Sequence, residues 1–135
     1  MTPHEETSRK LVAEWLHKAN ADLAAAECLL SESDAFAGIV MFHCQQAAEK
    51  LLKAFLTWHQ VEFPKTHAIG ELLDLAAGVD AVLADDLAVA TTLSPYGVVM
   101  RYPGEQPEPD PGEAATALDI AKRVRKTVLR ALPLA

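Results

Sequence analysis

His43, Gln46, Lys50 and Lys53 recur at spacings of three, four and three. On a helix that spacing sets an imidazole, an amide and two ammonium groups along one ridge. Such a ridge is an anion-facing surface, since every one of these groups can donate a hydrogen bond and two carry fixed positive charge. A second line runs beside it. Val40, Cys44, Ala47, Leu51, Ala54, Phe55 and Trp58 recur mostly at threes and fours, so that face buries. Read without a ligand, the polar ridge is a half-exposed helix face on which Gln46 and Glu49 bond neighbouring helices.

Two further short elements carry chemistry. Lys65-Thr66-His67 precedes an apolar helical pattern; free backbone N–H groups at a helix start favour an anion, and Lys65 adds charge there. The same three residues also read as an ordinary threonine cap. Arg101-Tyr102-Pro103 offers a guanidinium for bidentate phosphate contact and a ring for stacking; equally, the pair can pin a loop to the body of the protein. No glycine-rich phosphate loop, zinc-type cluster or nucleophile elbow occurs, and no two histidines stand at i,i+4. Neither a metal nor a cofactor is expected.

Helices must position these groups. Thr2-Pro3-His4-Glu5 is a helix start, with a hydroxyl cap, proline at the first position and a carboxylate three residues after the cap. Leu11, Trp15, Ala19, Leu23, Ala26 and Leu30 give the first helix its inner face. After a polar break at residues 31–34, a second helix runs from about Ala35 to Gln60, ended by the extended pair Phe63-Pro64. Thr66 caps a third helix with Ile69, Leu72, Leu73 and Ala76 inward and Gly78 as its stop. Asp80 starts a shorter one carrying Leu83, Leu87 and Ala90. Five prolines and three glycines then make residues 95–112 a loop. Asp110-Pro111-Gly112-Glu113 repeats the start signal, and the last helix buries Ala117, Ala121, Val124, Val128 and Leu132. Its outer side bears Lys122, Arg123, Arg125, Lys126 and Arg130, placed where the helix dipole favours cations. The expected architecture is all-α: a single domain over residues 1–135, an antiparallel up-and-down four-helix bundle with one additional short helix.

Composition agrees with this outline. Half of the 135 residues are hydrophobic, and the formal charge of −7 argues against charge-driven attraction to nucleic acid or anionic membrane. Cys28 and Cys44 read as small core residues in a reducing cytoplasm. No apolar run reaches transmembrane length, and the acidic opening is not a signal peptide. Trp58, Phe55 and Phe63 form an apolar cluster that, where exposed, marks a dimer surface.

The order of these motifs is more specific than any one of them. Trp15 to Glu27 gives Trp-Leu-x-Lys-Ala-x-x-Asp-Leu-x-x-Ala-Glu. It is followed by Phe42 to Ala54, by Phe63-Pro64-Lys65-Thr66-His67 and by Arg101-Tyr102-Pro103. This set resembles the HEPN family, the higher-eukaryote and prokaryote nucleotide-binding domain, over residues from about 12 to 130. The resemblance implies a dimeric helical bundle, and in prokaryotes a minimal nucleotidyltransferase as partner, the two acting as toxin and antitoxin. It also implies, for some members, a metal-independent ribonuclease built on an arginine followed after four to six residues by histidine. Here Gln106, Pro107 and Glu108 stand at the latter positions, and no histidine follows His67, so the proton carrier of that reaction is missing. Folding can still bring His43 or His67 to Arg101. The reading is therefore a nucleotide- or anion-binding protein with no assigned catalytic residue. Its site comprises His43, Gln46, Lys50, Lys53, Lys65, Thr66, His67, Arg101 and Tyr102. The rival readings are a ribonuclease toxin and a purely structural subunit.

Overall fold

The computed structural model describes residues 2–96 and 108–133. Five α-helices account for most of them: α1 (Pro3–Glu32), α2 (Ala37–Trp58), α3 (Ile69–Ala77), α4 (Ala81–Asp86) and α5 (Pro111–Ala131), with no strand among the described residues. A 3-10 turn, Asp34–Phe36, joins α1 to α2, and a second 3-10 stretch, Ala88–Tyr96, follows α4.

The caps act as their chemistry requires. Thr2 accepts the Glu5 N–H at 3.1 Å, and Asp110 closes a reciprocal capping box with Glu113. Asp80 accepts the Leu83 N–H at 3.0 Å and so starts α4. The end of α2 differs from expectation. Gln60 takes the left-handed region at φ 58, while its N–H bonds the Thr57 carbonyl and that of Val61 bonds Leu56. That pair of bonds is a Schellman stop, so α2 ends well before Phe63-Pro64. Thr66 does not cap α3 directly. Its hydroxyl accepts from Ala68 N–H at 3.0 Å, one residue ahead of the helix, and the Ile69 N–H goes to Ser94 Oγ at 3.1 Å.

The side-chain pairs between α1 and α2 step in opposite directions. Asp22 meets His43 and Lys50, Trp15 meets Lys53, and Arg9 stacks over Trp58. Asn20–Arg125 and Glu27–Lys122 repeat that order between α1 and α5. Both pairs are antiparallel, and the bundle is built around α2. Fourteen of the 22 residues of α2 are buried, which is more than one face and makes it the central helix.

Two details of the expected core change. Leu11 is 44 % exposed while Val12 is fully buried. Each four-residue step overshoots a turn by about 40°, so the line Leu11-Trp15-Ala19-Leu23 drifts by about 120° and Leu11 leaves the core. Cys44 is buried but Cys28 is exposed. Cys28 lies two positions past buried Ala26, about 200° around the helix.

Candidate functional site

Two carboxylates that the ridge pattern does not include organise it. Asp22, on the buried line between Ala19 and Ala26 of α1, faces α2. Its Oδ1 lies 2.8 Å from His43 Nδ1 and its Oδ2 accepts from Lys50 Nζ at 2.6 Å. Glu49 of α2 makes a parallel arrangement. Oε1 lies 2.8 Å from His67 Nδ1 and accepts from Gln45 Nε2 at 3.2 Å. Oε2 accepts from Lys53 Nζ at 3.0 Å. Gln45 is completely buried and joins the parts: it donates to the His67 carbonyl at 3.0 Å and accepts from Gln46 Nε2 at 2.7 Å. Each acid thus holds one lysine and one histidine.

The two units differ in depth. Around Asp22, whose side chain is 11 % exposed, the partners lie nearer solvent, His43 at 26 % and Lys50 at 21 %. Around Glu49 the lysine is buried along with the acid. Lys53 is 9 % exposed and its ammonium lies 5.5 Å from the Trp15 ring centroid and 5.8 Å from that of Phe63. That ammonium is enclosed by one carboxylate and two rings, a cation–π arrangement that holds helices together. Lys53 therefore does not present itself to solvent, although its spacing places it on the ridge. His67 is the reverse, two-thirds exposed, and ties the segment before α3 to α2.

Gln46 is half-buried, Thr66 is half-buried and Lys65 is exposed. The first backbone donors of α3 are committed to Thr66 and Ser94, which leaves less for an anion than the sequence suggests. Arg101 and Tyr102 lie outside the described residues. Asp22 and Gln45 were both missed by the ridge argument, yet each carries a signal. Polar residues on an otherwise apolar line, Met41-Cys44-Gln45-Ala48-Leu52 for Gln45, are buried groups that need partners.

Behind the ridge, burial, then the Asp22 charge, pushes the Cys44 thiol from 9.0 up to about 12, with Lys122 opposing. It stays a neutral thiol and no nucleophile at ordinary pH. On the outside, the hydrogen bond that the Lys122 ammonium donates to Glu27 raises its pKa. Lys122 and Arg125 are thereby engaged with α1, while Arg123, Lys126 and Arg130 remain on the outer side of α5. No group of three or more His, Cys, Asp or Glu suited to a metal occurs among the described residues.

These features have a family. The model of the HEPN domain matches residues 12–131, and the chain belongs to that family. Among solved structures it is similar to TT1696 from Thermus thermophilus, with 28% identity and a TM-score of 0.68 over 90% of this chain and 98% of that one. It is also similar to ST0689, described as an archaeal HEPN homologue, with 25% identity and a TM-score of 0.67 over 89% and 96% of the two chains. No curated protein matches.

Proposed function

We propose that this HEPN-domain protein binds a nucleotide on the α2 ridge and works, without catalysis of its own, beside a minimal nucleotidyltransferase in a toxin–antitoxin-like module. It acts in the cytoplasm as a homodimer. The observation that carries the binding is the layering at Asp22: the carboxylate lies beneath, while the imidazole of His43 and the ammonium of Lys50 lie above it toward solvent. Phosphate is met by groups already held in place, so less ordering is lost on binding. Gln46 flanks that pair on α2, Lys65, Thr66 and His67 extend the proposed site on the Glu49 side through His67, and Arg101 and Tyr102, outside the described residues, are assigned to it as well. Lys53 supports the ridge from inside. The partner and the dimer are what the family suggests.

Isothermal titration with AMP, ATP and GTP tests this. Lys50→Ala weakens binding by about tenfold, the weight of one charge-assisted hydrogen bond. Affinity unchanged in both Lys50→Ala and Arg101→Ala removes the ridge as the site. Sedimentation should give twice 14.6 kDa.

One observation favours the ribonuclease reading as an alternative. An imidazole oriented through Nδ1 by a carboxylate, with Nε2 directed away from it, is what general acid–base catalysis uses. That activity requires RNA cleavage lost in both His43→Gln and Arg101→Ala.

A further inference from the structure

We infer that Asp22 is a positioning residue of this site and that the site it builds takes a terminal phosphate, a phosphomonoester, rather than the phosphodiester backbone of a strand. The inference rests on the nucleotide-binding reading above and narrows it to one ligand chemistry.

Charge is the first argument. Each ammonium of the ridge is matched by a carboxylate at 3.0 Å or less, Lys50 by Asp22 and Lys53 by Glu49. With neutral imidazoles those four groups sum to zero, on a chain whose formal charge is −7. Strand binding draws its affinity from net positive charge and counterion release; the α2 ridge itself supplies none, which leaves only Lys65 and Arg101 of the proposed site. What it offers is directed hydrogen bonding.

Proton placement is the second argument. Asp22 accepts from His43 Nδ1, so a neutral imidazole presents the lone pair of Nε2 outward. Lys50 spends one N–H on Asp22 and keeps two. A phosphomonoester has a second ionisation near pH 6, so its monoanion carries a P–OH. That hydroxyl donates to Nε2 while the other oxygens accept from Lys50. Should the proton move across, imidazolium faces a dianion and the same two contacts persist. A phosphodiester group has no proton to give, so the neutral imidazole finds no donor on it. The partner of Nδ1 thus decides the ligand class, and that partner is Asp22.

The test compares AMP and inorganic phosphate with a short oligodeoxyribonucleotide bearing hydroxyls at both ends, which lacks the 2′-hydroxyl donors of RNA. Titration calorimetry should show AMP and phosphate binding, and the oligonucleotide at least about tenfold weaker per site. Asp22→Asn retains an oxygen and an amide in nearly the same volume but no longer fixes the imidazole tautomer. It should weaken AMP binding about tenfold and narrow the preference over the oligonucleotide. In parallel, the imidazole 15N resonances of His43 should shift at Nε2 when AMP is added to the wild type, and not when the oligonucleotide is added. This spectrum is read on the native chain, so the inference stays exposed even where Asp22→Asn fails to fold. AMP bound with the His43 resonances unmoved, or the oligonucleotide bound as tightly as AMP, overturns the inference and leaves nucleotide binding standing. Failure of the wild type to bind either AMP or phosphate removes both.

Discussion

Glu49 shows how burial sets the weight of a single residue. Its carboxylate is 4 % exposed and is shared by Lys53, His67 and Gln45. Glu49→Ala leaves a buried ammonium without its counter-charge and a buried amide without its acceptor, and should lower stability by about 3–5 kcal/mol in urea denaturation. The Glu27–Lys122 pair is half exposed at both ends. Glu27→Ala there should leave the urea midpoint almost where it was, because water screens the pair. The cysteines divide in the same way. In the native protein a thiol reagent should modify Cys28 and spare Cys44, which reacts only on unfolding. The alkaline limb of stability follows from the same thiol. Between pH 9.0 and about 12 the unfolded chain releases the Cys44 proton while the folded chain keeps it. The folded state then binds more protons, so stability falls as pH rises, by up to about 1.4 kcal/mol per pH unit from this group. Cys44→Ala should flatten that fall above the ordinary thiol value of 9.0, measured by urea midpoints.

At the scale of the element, the helix starts were readable and the stops less so. Thr2, Asp80 and Asp110 cap by short-range chemistry, and a cap of this kind contributes about 1 kcal/mol, so Asp110→Ala should lose roughly that amount. The end of α2 is different, because Gln60 adopts a left-handed conformation that its type does not advertise. Gln60→Gly should stabilise the protein by about 1 kcal/mol, seen as a higher thermal midpoint, since glycine bears no Cβ to crowd there. Thr66 does not cap α3 itself, because the partner that matters to its first residue, Ser94, lies 25 residues beyond Ile69. A donor satisfied from that distance leaves no local pattern.

For the whole molecule, the apolar periodicities of α2, α3 and α5 sufficed to place their inner faces, because 3.6-residue repeats and burial are the same fact seen twice. The motif order identified the family before any coordinates. What the repeat could not say was which polar residues pair. Spacing along α2 put Lys50 and Lys53 on one ridge as equals. Packing against α1 then set Lys50 near solvent over Asp22, and drew Lys53 inward to Glu49 between Trp15 and Phe63. Sequence by itself determined the helices, the caps at Thr2, Asp80 and Asp110, and the family, all legible in patterns of nearby residues. Tertiary structure alone decided the ionic partnerships, because the charge facing a side chain comes from another helix, 28 residues away in the case of Asp22 and Lys50.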